Sequence, residues 1–141
     1  MQGKDFLEVA KTLIRSKFEA SLRSAISRAY YALFNSAAQF LMDLGFSIDK
    51  GPGVHGTIRD RFYHSGTEQL IDFAQTLDEL RTRRNKADYD MISKEFQNQA
   101  MCALNVAGAE LAIKHLTNCN KEPLRSQIRK NIQGYERKIA S

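Results

Sequence analysis

The residues best equipped for chemistry fall in one run, Arg81-Thr82-Arg83-Arg84-Asn85-Lys86-Ala87-Asp88-Tyr89-Asp90. Around it, Leu70, Phe73, Leu77, Leu80, Arg84, Ala87 and Met91 alternate at spacings of three and four, the interval of a packed helix seam, with Arg84 where a leucine belongs. An unpaired guanidinium among buried aliphatic side chains is costly, so the pattern predicts an anion for Arg84. Asp88 lies one turn later on the same face and Arg81 one turn earlier, which gives a ladder of Arg81, Arg84 and Asp88. Two readings of the ladder stay open. It is either an ion pair that fixes helix register, or a polar pocket whose fork of Arg donors meets the phosphate of RNA or of a nucleotide.

Other polar groups are more scattered. Ser27, Arg28, Tyr31 and Asn35 share one helical face and are expected to meet a neighbour or solvent. Tyr30 is expected in the core, and Tyr31 is suited to hydrogen-bonding across a polar cleft. His55 and His64 bracket a short helix, where the residues alone read His55 as a surface histidine and His64 as part of a turn. Cys102 and Cys119 have neither CxxC spacing nor a neighbouring histidine pair, so they are read as free thiols and no metal site is expected.

Ser27-Arg28-Ala29-Tyr30-Tyr31-Ala32-Leu33-Phe34, then His55, then Leu80 with Arg84-Asn85-Lys86-Ala87-Asp88-Tyr89-Asp90, together resemble the HEPN superfamily, the "higher eukaryotes and prokaryotes nucleotide-binding" domains. Within it they resemble the small stand-alone prokaryotic branch with an Arg-x-x-Ala-Asp-Tyr signature. The likeness runs in order from about Phe6 to Leu116. It implies a helical bundle that forms a homodimer, with polar motifs of both protomers facing a shared cleft. It implies a nucleotide or RNA ligand held by Arg28, Tyr31, Arg81, Arg84, Asn85, Asp88 and Tyr89, with no cofactor. A nucleotidyltransferase partner in a toxin-antitoxin or defence setting also follows from the resemblance. Many relatives are metal-independent endoribonucleases, and that alternative gives Arg84 the phosphate and His55 or Asp88 the proton. A non-catalytic structural adaptor is the further alternative.

The ribonuclease signature pairs an Arg with a His one to two turns later. Here Asp88 stands at that distance from Arg83 and Arg84, and no histidine follows until His115. Cleavage through a 2′-hydroxyl needs a proton acceptor and donor poised near neutral pH, which imidazole provides and an ordinary carboxylate, with a pKa of about 4, does not. The cluster by itself therefore reads as binding rather than cleaving. In some toxin pairs of the superfamily a tyrosine two beyond the histidine receives AMP. That place is held by Asp90 here, and modification of Tyr89 is not expected.

The elements that carry these residues follow a helical period throughout. A first helix over Asp5 to Arg15 has Phe6, Val9, Ala10, Leu13 and Ile14 on one stripe. Ser16 and Glu19 have capping-box spacing for a second helix, which runs to Leu44. Its wide apolar face, Leu22, Ile26, Ala29, Leu33, Ala37, Phe40 and Leu44, predicts a central place in a bundle. Gly45 and Gly51-Pro52-Gly53 break the chain. A short helix spans Val54 to Tyr63, and Ser65 with Glu68 caps a fourth. Ser93 caps a fifth helix to about Thr117, packed through Phe96, Ala100, Ala103, Leu104, Ala107 and Leu111. Asn120 and Pro123 start a last amphipathic helix with Leu124, Ile128, Ile132, Tyr135 and Ile139. The expected fold is all-α, an antiparallel four- to five-helix up-and-down bundle over residues 1–120. Residues 121–141 add a basic C-terminal helix that belongs to the same domain or contacts a partner.

Composition agrees. A chain of 141 residues with 43% hydrophobic and 26% charged residues is globular, and one core suffices. The longest uncharged run, Ala29 to Met42, is broken by Asn35, Ser36 and Gln39 and falls short of the roughly 20 residues of a membrane span. Lys4, Asp5, Glu8 and Lys11 interrupt any signal-peptide stretch, so a cytoplasmic protein without a membrane contact is expected. Of the net charge of +5, residues 121–141 hold six Lys or Arg against two Glu. That face is either simply solvated or meets nucleic acid or an acidic partner.

Overall fold

The widest apolar stripe in the sequence belongs to the helix around which the others pack. The structure, a computed structural model that describes residues 1–141, is all-α. It comprises α1 (Gly3–Leu13), α2 (Glu19–Asp43), α3 (Val54–Tyr63), α4 (Glu68–Tyr89), a 3₁₀ turn (Glu95–Gln97), α5 (Gln99–Cys119) and α6 (Leu124–Ala140). Helix α2 packs on α1, α4 and α5, and α3 lies against α4. Every residue of the predicted α2 stripe, from Leu22 to Leu44, is buried. No helix is long and apolar enough to cross a membrane.

Three rings join the middle of the bundle. Phe40 of α2 meets Phe62 of α3 edge-on at 6.0 Å, and Phe62 meets Phe73 of α4 at 5.2 Å. Burying each such ring contributes about 1.5–3 kcal/mol, and the edge-to-face pairing adds about 0.5–1.5 kcal/mol. Helix α2 ends where Gly45 takes a left-handed φ of 99°, with Gly45 N–H donating to Met42 O and Phe46 N–H to Leu41 O. The connection that follows is held by buried Arg61, which donates to Glu136 of α6 and to the Ser47 carbonyl while lying over Phe46. Ile128 and Ile132 of α6 belong to the main core. Ile139, expected on the same stripe, is exposed because α6 has run past α3.

The predicted helix starts are correct to within a few residues, but their caps differ. Ser16 accepts from Phe18 N–H in the turn before α2 and forms no capping box with Glu19. Ser65 donates to Phe62 O and so closes α3 rather than opening α4, which starts after Thr67. Helix α5 is capped by Asn98, whose Oδ1 accepts from Met101 N–H at 3.0 Å, and not by Ser93.

The largest departure is the orientation of α5. Cys102, Val106, Ala109, Ala112, Leu116 and Cys119 face the core, whereas Ala100, Leu104, Ala107 and Leu111 of the expected stripe are exposed. Both faces are apolar enough to be buried, and the inward one is chosen by the shape of α2 and α4. Both cysteines are free and buried, and burial pushes the Cys119 thiol to about 11.

Candidate functional site

The seam on α4 is real as far as Ala87. Leu70, Phe73, Leu77, Leu80 and Ala87 are buried, and Met91, beyond the helix end, is exposed. Arg84 lies in this line with its side chain only 19% exposed. Its Nε donates to Asp88 Oδ2 at 3.2 Å, and its guanidinium carbon lies 5.6 Å from the Tyr30 ring centre and 5.3 Å from that of Tyr31. Two ring faces and one carboxylate thus immobilise the cation, and its terminal amino groups have no protein partner.

Arg28 approaches the same surface from α2. Its guanidinium carbon is 5.8 Å from the Tyr31 ring and 5.4 Å from Phe6. Since the Arg28 and Arg84 carbons lie 5.8 and 5.3 Å from one ring centre, they are no more than about 11 Å apart. Ser27, expected to face outward, is buried, with its Oγ 3.5 Å from Asp88 Oδ2. It turns inward because α4 passes directly over this part of α2. Asn35 donates to the Tyr31 carbonyl within its own helix and does not join the cluster.

Arg81 is exposed and makes no ion pair with Asp88, so the expected three-rung ladder has two rungs. Its charge is nonetheless close enough to act on Tyr30 and His55. Arg83 and Lys86 point elsewhere, to Glu95 at 3.6 and 3.7 Å. Asn85 and Tyr89 are exposed, Tyr89 by 75%, and neither hydrogen-bonds to Arg84 or Asp88.

His55 is the chief correction to the reading from the residues alone: it is 3% exposed. Its Nδ1 lies 2.9 Å from the Tyr30 hydroxyl and its Nε2 2.7 Å from Asp78 Oδ1. A neutral ring with its proton on Nε2 satisfies both, donating to Asp78 and accepting from Tyr30. Burial holds the imidazole below its usual value and outweighs the Asp78 carboxylate, which favours the charged form. Burial likewise raises the Tyr30 phenol, against the pull of Arg81 and Arg84. The chain Asp78–His55–Tyr30 therefore runs from α4 through α3 to α2 and ends beneath Arg84. Arg59 flanks it, bound to Asp60 at 3.0 Å and 3.9 Å from Asp78. His64 lies outside the site, at the end of α3, stacked on Tyr135 of α6.

Reasoning from residues missed Asp78, the Tyr30 hydroxyl and Arg59, since no spacing rule links positions on three helices. It also missed Arg23, which is buried against the end of α4. Arg23 donates to the carbonyls of Lys86, Ala87, Asp90 and Ser93, lies over Phe96 and pairs with Glu19 at 3.4 Å. The signal was present in its spacing of three and seven residues from Ile26 and Tyr30, which puts Arg23 at the edge of the apolar face of α2. A groove of about 910 Å³ between α1, α2 and α5 includes Lys4, Phe6 and Asn35 but no member of the arginine cluster.

A family model described as HEPN domain covers residues 1–115. No curated protein and no solved structure matches the chain.

Proposed function

Because the chain belongs to the HEPN domain family, we propose that it is a nucleotide- or RNA-binding domain that grips phosphate with Arg28, Arg81 and Arg84 and does not cleave it. One observation carries this reading: Arg84 is fixed from behind by two tyrosine rings and Asp88, while its terminal nitrogens stay free. A planar fork immobilised in advance suits bidentate phosphate recognition and loses little side-chain freedom on binding. Arg28, without a protein anion and within about 11 Å of Arg84, supplies a second cation, and exposed Arg81 a third.

Binding is favoured over cleavage by the state of His55. Both ring nitrogens are engaged and the ring is enclosed, so neither is free to accept a proton from a substrate hydroxyl or to give one to a leaving oxygen. A general base must lie within hydrogen-bond reach of the proton it abstracts. Asp88, at the motif position, is already spent on Arg84.

The test is to titrate a labelled single-stranded RNA, and separately ATP, with the purified chain in EDTA. The expected result is binding with the RNA left at full length. Arg84→Ala should weaken binding about 10- to 100-fold, the equivalent of one charge-assisted hydrogen bond of about 1.5–3 kcal/mol. RNA shortened by the wild type but not by His55→Ala would establish the nuclease reading instead. Absence of any binding, with Arg84→Ala lowering only stability, would reduce the cluster to an ion pair serving the fold.

A further inference from the structure

The groove of about 910 Å³ between α1, α2 and α5 has no part in the phosphate reading, since none of Arg28, Arg81 and Arg84 lines it. Its size is that of a small-molecule site. Two contacts fix its walls. Toward its end, α1 is tied to α5 by Lys11, whose Nζ donates to Glu110 at 2.6 Å. At its start, α1 is pressed onto α2 at Gly3, where a Cβ would come 2.5 Å from Ser36 Oγ and 2.7 Å from Ser36 N. Only glycine permits that approach. The groove is the gap left between the start of α1 and the end of α5.

Its lining is of two kinds. Phe6, Phe40, Ile113 and Leu116 give an apolar floor, of which Phe40 and Leu116 belong to the main core. Lys4 and Lys121 are exposed and stand free of carboxylates, because the acids beside them are held by other groups. Asp5 accepts from Gln2 N–H at 2.7 Å, and Glu122 from Ser126 N–H at 2.8 Å. Asp43, the one acid in the lining, accepts from Gln39 Nε2 at 2.8 Å. Asn120 gives its Oδ1 to Arg125 Nε at 3.0 Å, which leaves its amide N–H groups to donate elsewhere.

Unpaired ammonium groups around an apolar floor suit a molecule with an anionic head and a hydrocarbon body. A peptide would bring backbone N–H and C=O groups that the floor leaves unmet, and a nucleotide base would bring polar edges, each at a cost. A hydrocarbon chain brings neither. We propose that this groove binds a hydrophobic monocarboxylate, an ionised fatty acid, with its chain on Phe6, Phe40, Ile113 and Leu116 and its carboxylate met by Lys4, Lys121 and Asn120.

Calorimetric titration of the full chain with decanoate, kept below the concentration at which it forms micelles, tests this, with far-UV circular dichroism as the control for folding. One decanoate should bind per chain. Each buried methylene changes affinity about fourfold, so octanoate should bind about 15-fold more weakly. The double variant K4Q/K121Q should weaken decanoate by about 2- to 30-fold, the range of two exposed ion pairs, and keep the ratio between the two chain lengths. Thr117→Trp, at an exposed position of the lining, should fill the groove and abolish binding with helicity unchanged. Decyltrimethylammonium, with the same chain and the opposite charge, should bind more weakly than decanoate. No binding of decanoate to the wild type, or uptake without saturation, would overturn the proposal. So would decanoate binding as tightly to K4Q/K121Q as to the wild type, or decyltrimethylammonium binding as tightly as decanoate.

Discussion

Removing one arginine at a time and following RNA affinity against salt turns the phosphate reading into a number. Arg28 and Arg81 have no protein anion, and Arg84 engages one of its five N–H groups with Asp88, so three cations are available. On a single strand each neutralised phosphate adds about 0.7 to the slope of log affinity against log salt, so the wild type should show a slope of about −2. Between roughly 50 and 200 mM salt that slope is a loss of about 20-fold, and each Arg→Ala variant should lower it to about sevenfold. Arg84→Lys separates charge from geometry. It keeps the slope but gives up the planar fork and the two ring contacts, so affinity should fall by the same factor at every salt concentration. The basic α6 needs its own control, and deleting it is unsuitable because Ile128 and Ile132 are part of the core. Exposed Lys130 and Lys138 changed to Gln serve instead. Fluorescence anisotropy of a labelled strand reads all of these. A slope indifferent to the three arginines and reduced only by the α6 substitutions would refute the assignment and move the phosphate contacts to α6.

Two further outcomes follow from buried groups. Arg23→Met leaves the carbonyls of Lys86, Ala87, Asp90 and Ser93 without their donor, and should cost about 3–5 kcal/mol in urea unfolding. A loss under about 1 kcal/mol would mean that water replaces the guanidinium freely. The second concerns pH. The His55 imidazole is held below its usual value by burial, so as pH falls the unfolded chain takes up this proton first. The stability contributed by the neutral ring is complete above about pH 6.5 and is lost below it, by at most about 1.4 kcal/mol per pH unit. Unfolding measured from pH 7.5 to about 5.5, above the ordinary carboxylate range, should show this slope in the wild type and not in His55→Asn. An equal slope in both would place the titrating group elsewhere.

The helices, their order and the centrality of α2 were legible in the residues because amphipathic period and Gly or Pro breaks are local properties of the chain. Arg84 and Asp88 were legible for the same reason, being one turn apart on a single helix. Their ring contacts were not, since Tyr30 and Tyr31 reach Arg84 only after α2 and α4 pack. The caps were misread at Ser16, Ser65 and Ser93, where the hydroxyls found other partners nearby in the chain or a later residue did the capping.

His55 marks the limit most clearly. From its neighbours it is a histidine beside a loop, but its partners Tyr30 and Asp78 lie 25 and 23 residues away, on α2 and α4. Helix α5 marks it again, for both of its faces satisfy an apolar period and no rule internal to that segment selects between them. By itself the sequence determined which segments coil and which residues share a face, since both depend on neighbours within a turn or two. Only the tertiary structure decided which face is buried and which polar groups meet, because burial and hydrogen bonding are settled by surfaces that other parts of the chain supply.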